Sequence, residues 1–200
     1  FSLDANGNLV ASQGFQVQGD GGAITITPND GDINIAPDGT IYCAGGSSRL
    51  VALTPTGTLK WSFSSDFMAV SPALGADGTL YIGVNSPTRR LYALRSDGTV
   101  KWEYVANDSV TSSPVVGPDG TVYFGCADKN LYALTANGEL RWTYTTGGIV
   151  RRASPTVASD GAIYVGSADG KVYCVDPEGT LRRTYATTGE VQASPLLNNG

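Results

Sequence analysis

The sequence predicts an all-β protein: a β-propeller of four-stranded antiparallel blades, with four full repeats and parts of a fifth. Two observations support this fold class. A phrase that reads SPVVGPDGTVYFGCADKNLYALTANGELRWTY over residues 113–144 occurs in four copies, with a period of about 41 residues. Each copy holds four short runs of small, β-branched or aromatic residues, and none has the 3.6-residue apolar period of a helix. A repeat of this kind and length is typical of a propeller blade.

The third copy shows how each element is predicted. Residues 110–116 are apolar or small, as expected of an innermost strand, where blades converge and bulky side chains would clash. Pro118-Asp119-Gly120 supplies a turn, because proline presets φ and glycine accepts a positive φ. β-Branched and aromatic residues then predict a second strand over 121–126, a third over 131–135 and a fourth over 139–145. Asn137-Gly138 is a strong hairpin signal between the last two.

These repeats form a single predicted domain over residues 1–200, either a propeller or a propeller segment. Full repeats are expected over 32–66, 67–108, 109–149 and 150–189. Residues 1–31 match a partial blade and include a Gly-, Asp- and Gln-rich surplus within 13–32, which suits a surface excursion. Residues 190–200 match the first strand of a further blade, and the second strand of that blade has no counterpart.

Three architectures are compatible with such a set of repeats. The ends could meet in a five-bladed ring with one thin, shared blade. Two copies could form an eight-bladed ring, or the chain could be a segment of a longer propeller. Because an unclosed array leaves bare strand edges that invite pairing, the two larger assemblies are favoured over self-closure.

A tryptophan recurs at one position of the outer strand, at Trp61, Trp102 and Trp142. We expect these residues to be structural, each wedging its blade against a neighbour, rather than stacking on carbohydrate. Burying about 150–250 Å² at about 25 cal/mol/Å² is worth at most about 4–6 kcal/mol for each residue. Arg183 stands at this position in the fourth copy, so we expect the fourth blade to dock less tightly than the others.

Composition and missing motifs exclude several classes of function. The formal net charge of −5 argues against nucleic acid as a partner, because phosphate recognition needs clustered Lys and Arg. No apolar run is long enough to span a bilayer. With no histidine, no Ser-His-Asp set, no P-loop and no zinc motif, the sequence predicts no catalytic residue, no metal and no cofactor. Cys43, Cys126 and Cys174 lie in different repeats and are expected to be buried thiols.

Two oxygen-rich segments resemble the first half of a calcium-binding loop. They are residues 4–8 (DANGN) and residues 30–34 (DGDIN). Neither has the following Gly and distal Glu of an EF-hand. The first coincides with the ordinary hairpin turn of the repeat, so turn chemistry is the preferred interpretation.

The residues that lead into the innermost strands differ between copies while their surroundings repeat. Thr111, Arg152 and Gln192 stand two positions before the repeated Ser, and Arg151 stands three before it. In a propeller such positions lie near the mouth of the central channel, where ligands and partner loops dock. The guanidinium forks of Arg151 and Arg152 suit an anion or carboxylate clamp. A solvated loop pair or an inter-blade salt bridge is the preferred alternative.

The pattern SP…DGTxYxG…LYAL…GxxxW resembles the repeat of PQQ-like (quinoprotein-type) β-propellers, over about residues 32–200. That family includes quinoprotein alcohol dehydrogenases and the non-enzymatic propeller lipoprotein of the outer-membrane barrel-assembly machinery. The enzymes typically place a vicinal Cys–Cys pair beside the quinone, hold a calcium ion and use an Asp base. This chain has no adjacent cysteines, so the resemblance is closest in character to the non-enzymatic members.

The resemblance implies a non-catalytic scaffold or protein-binding module. Its expected partners are other proteins or further copies of itself, as a homo-oligomer or a cell-surface or secreted assembly. Polar faces with few lysines favour a periplasmic, cell-surface or secreted location. A sensory propeller that binds a small anion or sugar is the alternative function, and a fragment of a quinoprotein dehydrogenase is the third.

Overall fold

The structure is a computed structural model. It describes residues 33–45, 49–66, 71–85 and 87–197, together with four short strands: β1 (Ser2–Leu3), β2 (Leu9–Val10), β3 (Gln18–Gly19) and β4 (Gly22–Ala23). β1 pairs with β2 and β3 pairs with β4, both antiparallel. Residues 4–8 and 30–32 of the two calcium candidates lie outside the described residues, as does most of the surplus within 13–32.

Four antiparallel sheets of four strands follow, and within each sheet the strands lie side by side in chain order. The first sheet contains β5 (Ile33–Ile35), β6 (Ile41–Gly45), β7 (Arg49–Leu53) and β8 (Leu59–Ser64), and the second β9 (Ala73–Leu74), β10 (Leu80–Val84), β11 (Arg90–Leu94) and β12 (Val100–Val105). The third contains β13 (Val115–Val116), β14 (Val122–Gly125), β15 (Asn130–Leu134) and β16 (Leu140–Thr145), and the fourth β17 (Thr156–Val157), β18 (Ile163–Ser167), β19 (Lys171–Val175) and β20 (Leu181–Ala186). The predicted all-β class and the four-stranded blades are confirmed.

The innermost strands are shorter than the sequence predicts. The run over 110–116 gives only the two-residue strand β13, because Pro114 has no N–H to donate to a ladder. Before it, the hydroxyl of Ser112 accepts a hydrogen bond from the N–H of Gly125 at 2.7 Å. Ladder pairing is therefore limited to the two residues after the proline, together with an isolated bridge between Val110 and Cys126. The predicted first strand over 190–200 has no ladder in the described residues 190–197, and the domain limits stay predictions.

A β-bulge recurs where the third and fourth strands of each sheet pair. In the third sheet Ala133 lies opposite Trp142 and Leu134 opposite Leu140, so Arg141 is the extra residue. The other three sheets shift register at the same place. A bulge changes the direction in which the side chain of its extra residue points. The extra residues are all cations: Lys60, Lys101, Arg141 and Arg182.

The hydrophobic core lies between consecutive sheets, because side chains alternate along each strand. In β14, Val122 and Phe124 belong to the cluster shared with the second sheet, whereas Tyr123 belongs to the cluster shared with the fourth. A third cluster joins the first and second sheets. The sheets thus pack face to face in series. All three cysteines are buried in them, as predicted.

Each tryptophan contacts the sheet that follows its own. The indole N–H groups of Trp61, Trp102 and Trp142 donate to main-chain carbonyls in the next third–fourth strand turn, at 2.8, 2.9 and 2.7 Å. The fourth sheet therefore receives Trp142 as the second and third sheets receive Trp61 and Trp102. Arg183 lies on the face that looks away from the third sheet, so it takes no part in docking the fourth sheet on the third. The expectation that the fourth sheet docks less tightly stays a prediction.

Candidate functional site

The four residues predicted to bind a partner lie on the links that join the fourth strand of one sheet to the first strand of the next. These links share one end of the sheets with the connectors between second and third strands, and we call it the connector end. The first–second and third–fourth turns lie at the opposite end, which we call the turn end. Thr111 precedes the third sheet, Arg151 and Arg152 precede the fourth, and Gln192 follows the fourth.

The link before the fourth sheet is one residue longer than the link that follows that sheet. Val150 packs on Gly125 of the preceding sheet, and Val191 packs in the same way on Gly166. The next Ser-Pro dipeptide begins four positions after Val150 but three after Val191. Arg151 is therefore part of an insertion and has no counterpart in the link that follows the fourth sheet.

A tight turn centred on Arg152 accommodates the inserted residue. Its φ is +60°, and the N–H of Ala153 donates to the carbonyl of Arg151 at 2.7 Å, which is the pattern of a γ-turn with a left-handed central residue. The N–H of Arg152 also donates to the carbonyl of Thr111 at 2.9 Å. Such a backbone is strained for a residue with a side chain. The turn holds Arg152 at the surface.

The structure brings the predicted residues together in two contacts. The hydroxyl of Thr111 donates to the carbonyl of Val150 at 2.6 Å, so this side chain ties two links and is not available to a ligand. Arg151 lies 3.5 Å from Glu190, whose carboxylate also accepts from the side-chain amide of Gln192 at 2.9 Å. This is the inter-blade salt bridge that the sequence leaves open as an alternative. Among the described residues the exposed guanidinium of Arg152 makes no hydrogen bond or ion pair.

Sequence reasoning missed Glu190, which neutralises Arg151. No sequence signal marks it, because the contact joins two links that are 39 positions apart. We call Thr111, Arg151, Arg152, Glu190 and Gln192 the connector cluster. Within it, Arg152 is the one cation without a carboxylate partner among the described residues.

The turn end carries carboxylates that are already bound. Asp119 accepts from the hydroxyl of Thr121 at 2.7 Å and lies 2.8 Å from the guanidinium of Arg141, the bulge residue. Burial alone raises the pKa of Asp119, but the hydrogen bonds from Thr121 and Arg141 outweigh it and hold the pKa below its usual value. The other sheets repeat the ion pair as Lys60–Asp38, Lys101–Asp77 and Arg182–Asp160. The signal in the sequence is a Lys or Arg directly before each tryptophan or Arg183.

Two partly buried carboxylates are held by tyrosines of their own sheet. The hydroxyl of Tyr132 donates to Asp128 at 2.5 Å, and that of Tyr173 donates to Asp169 at 2.6 Å. Burial and the bond to Asp128 both raise the pKa of Tyr132, so this phenol stays protonated at neutral pH. Burial favours a higher pKa for Asp128, yet the hydrogen bonds from Tyr132 and Asn130 lower it. These pairs brace the second–third strand connectors.

The innermost strands line two shallow grooves, of about 640 Å³ and about 420 Å³. Side chains such as Leu74, Val115 and Val157 form the walls of the larger one. No Asp, Glu, Lys, Arg or Cys is among the described residues that line either groove. No group of three or more His, Cys, Asp or Glu side chains in the described part of the chain could hold a metal ion. The larger groove therefore offers mainly apolar surface, the smaller one adds an asparagine and four serines, and neither carries a titratable group among its described lining residues.

Serial four-stranded meanders, packed face to face and joined by one tryptophan contact per step, define a repeat propeller. The family model described as "Outer membrane protein assembly factor BamB" matches residues 2–149, and the chain belongs to this family of PQQ-like propellers. The predicted family is confirmed. A fold of this kind supports a protein-binding scaffold in general. In the described part of the chain no helix is long and apolar enough to cross a membrane.

Solved structures share this fold at low sequence identity. BamB from Moraxella catarrhalis is 18% identical over 87% of this chain and 57% of its own, with a TM-score of 0.74. A protein of unknown function from Bacteroides caccae is 14% identical over 78% and 60%, with a TM-score of 0.61. Virginiamycin B lyase from Staphylococcus aureus is 15% identical over 80% and 55%, with a TM-score of 0.67. The chain thus spans 55–60% of these chains, and no curated protein matches it.

Proposed function

We propose that the chain is a non-catalytic propeller that binds other proteins through its connector end. The observation that carries this proposal is Arg152, an exposed cation set on a strained, inserted turn. Strained non-glycine residues cluster at functional sites, because the strain persists only where the surroundings enforce it. Here the enforcing contact is the hydrogen bond from the Arg152 N–H to Thr111.

The chemistry of the connector cluster suits a carboxylate of a partner protein. A guanidinium binds a carboxylate through two parallel N–H···O bonds, which fixes direction as well as adding energy. Arg151 is held by Glu190, so Arg152 makes the first contact. Lys129 lies at the same end, and its φ of +73° also places a cation on a left-handed turn. The partner surface expected here is acidic.

A setting outside the cytoplasm is part of the same proposal. The description of the matching family names outer membrane protein assembly, which supports a periplasmic or cell-surface scaffold. A secreted assembly would use the same connector end. The absence of an enzymatic role belongs to the proposal as well. A lyase shares the fold, but the two grooves along the innermost strands of this chain carry no titratable group among their described lining residues.

An acidic peptide tests the proposal directly. We would titrate the protein into a labelled peptide of alternating Glu and Ser and follow its fluorescence anisotropy. Arg152→Ala is expected to weaken binding about tenfold, the effect of losing one charged hydrogen-bonding partner. Arg95→Ala is the matched control, since Arg95 is an exposed cation at the turn end. Absence of binding, or equal loss in both variants, would overturn the proposal.

A small-ligand function is the second candidate, and one observation favours it. A groove of about 500 Å³ runs along residues 187–193 and includes Glu190 and Gln192 of the connector cluster. A rise in melting temperature with citrate that disappears in Arg152→Ala would shift the assignment to a small anion. The third candidate, a quinoprotein dehydrogenase fragment, requires a change in quinone absorbance on reconstitution, and we expect none.

A further inference from the structure

The two ends of the sheets carry different residues at their left-handed backbone positions. Among the described residues with positive φ, all of those at the turn end are glycines: Gly39, Gly57, Gly78, Gly98, Gly120, Gly138, Gly161 and Gly179. At the connector end only Gly170 is a glycine. The other three are cations, Arg89, Lys129 and Arg152. This conformation is uncommon for residues with a Cβ, and a long basic side chain lacks the local hydrogen bond by which Asn or Asp favours it.

Glycine serves the backbone of these connectors equally well. The N–H of Lys129 donates to the carbonyl of Cys126 at 3.2 Å, and its carbonyl accepts from the N–H of Thr146 at 2.9 Å. In the next sheet Gly170 makes the same two bonds, at 3.2 and 2.8 Å. The exposed side chain of Lys129 makes no hydrogen bond or ion pair with the described part of the chain. The strain at Lys129 is therefore not required by the fold, which is typical of a functional position.

Lys129 and Arg152 extend from one hydrogen-bonded frame. The Cys126 carbonyl that accepts from Lys129 also accepts from the N–H of Val150, at 3.3 Å. Val150 lies two residues before Arg152, and its own carbonyl accepts from the hydroxyl of Thr111. These bonds fix the connector and the link relative to each other. Two cations that are held on a rigid frame lose little backbone freedom when a ligand binds.

Arg89 repeats the position of Lys129 in the second sheet. Its carbonyl accepts from the N–H of Ala106 at 2.9 Å, as that of Lys129 accepts from Thr146. One guanidinium N–H donates to the carbonyl of Asn107 at 3.0 Å, on the link to the third sheet, and the other N–H donors of this side chain remain available. Packed sheets lie about 10 Å apart, so about three residues of an extended chain separate Arg89 from Lys129.

Carboxylates at the same end indicate the class of partner. They are Asp66, Asp108, Asp128, Asp169 and Glu190. Because duplex DNA carries one charge about every 1.7 Å, a continuous row of phosphates would meet these carboxylates as well as the cations. An acidic polypeptide can place its carboxylates at intervals, opposite the cations, with neutral residues opposite the aspartates. The pattern at the connector end therefore favours an acidic polypeptide.

We propose that an extended acidic segment of the partner protein crosses the connector end from the second sheet to the fourth, with its carboxylates on Arg89, Lys129 and Arg152. The inference rests on the proposed function, which assigns an acidic protein surface to this end, and it adds the conformation and spacing of that surface. Carboxylates are expected three or four positions apart, about 10–13 Å along an extended chain, with uncharged residues between them.

Glycine substitution tests the inference, because it removes a cation and relieves backbone strain together. We would titrate each variant into a labelled peptide with Glu at every fourth position and Ser between, and follow fluorescence anisotropy. Arg89→Gly and Lys129→Gly are each expected to weaken binding about threefold, the effect of losing one exposed ion pair, without lowering the melting temperature. Lys129→Arg keeps the charge and should keep the affinity. Arg95→Ala removes an exposed cation at the turn end and is the matched control.

The same titrations separate this inference from the proposed function. Weaker binding in Arg152→Ala but not in Arg89→Gly or Lys129→Gly would keep the proposed function and overturn the extended segment. Unchanged binding in all three variants, or no binding by the wild type, would overturn both. A lower melting temperature in Lys129→Gly would show that this side chain serves the fold and would overturn the argument from strain. An oligothymidylate that binds as tightly as the peptide would overturn the assignment to a polypeptide.

Discussion

The indole nitrogen of Trp142 donates a hydrogen bond to the main-chain carbonyl oxygen of Pro177, 2.7 Å away in the following sheet. The same ring covers Gly179, where an added Cβ would lie 2.7 Å from the indole Cγ. Two features therefore require a glycine at position 179: the φ of +86° and the Trp142 ring packed against it. Sheet docking depends on a matched pair, a tryptophan on one sheet and a glycine turn on the next.

Removing one of these rings should loosen the stack. We expect Trp102→Ala to lower the free energy of unfolding by about 3–5 kcal/mol, because it opens a cavity over Gly138 and removes the bond to the Ala136 carbonyl. Urea unfolding followed by circular dichroism measures the change. Thr143→Ala, at an exposed position of an outer strand, should change it by no more than about 0.5 kcal/mol. Equal effects of the two substitutions would contradict the docking role.

The two demands on the turn glycines can be separated. Gly138 and Gly78 both have positive φ, but a Cβ at Gly138 would lie 2.7 Å from Trp102, whereas a Cβ at Gly78 would meet nothing within 4 Å. Gly78→Ala should therefore lower the free energy of unfolding by only the left-handed backbone cost, about 1–2 kcal/mol. Gly138→Ala should lower it clearly more, because the indole must move. Similar losses in urea unfolding would show that the ring contact contributes little.

The repeat predicts most of the fold, because its period and turn residues are local features of the sequence. The position of Trp142 in the outer strand follows from that period. Which neighbour the ring touches does not, since a periodic sequence looks the same in both directions along the stack. The sequence therefore leaves open which neighbouring sheet a substitution at Arg183 affects.

The sequence predicts where the candidate site lies, but not the contacts that its residues make. Arg152 differs from its counterparts in the sequence, and that difference alone points to the link before the fourth sheet. The insertion beside it appears only when Val150 is seen to pack on Gly125, because a one-residue shift leaves no trace in a loop. The salt bridge from Arg151 to Glu190 needs the fold to bring two links together.

Cys126 should resist alkylation in the folded protein. Its side chain is fully buried, and burial raises the pKa of the thiol to about 12, so the reactive thiolate is about one ten-thousandth of the population at pH 8. Iodoacetamide labelling read by peptide mass spectrometry should be at least a hundredfold slower in buffer than in urea. An introduced thiol at an exposed turn, Ser159→Cys, is the control and should react in buffer. Fast labelling of native Cys126 would show that the third sheet opens readily.

Because of the turn-end carboxylates, the free energy of unfolding should fall as the solution becomes acidic. The folded pKa values of Asp38, Asp77, Asp119 and Asp160 all lie below the ordinary 3.8. Since the unfolded chain then binds protons first as the pH falls, these groups stabilise the fold above about pH 4. Their contribution is lost as the pH falls through the folded pKa values. The free energy of unfolding of the wild type should therefore decrease steadily from pH 5 toward pH 2.

Replacing one of these carboxylates measures its contribution to the pH dependence of the free energy of unfolding. Asp119→Asn should be less stable than the wild type at pH 7 and should lose less stability between pH 5 and pH 2, because the bonds from Thr121 and Arg141 no longer meet a charge. Urea unfolding at a series of pH values measures both effects. Glu139→Gln is the control, since Glu139 is an exposed carboxylate of the same sheet with no side-chain hydrogen bond among the described residues. A slope in Asp119→Asn as steep as in Glu139→Gln would mean that the bulge cation does not hold the carboxylate in solution.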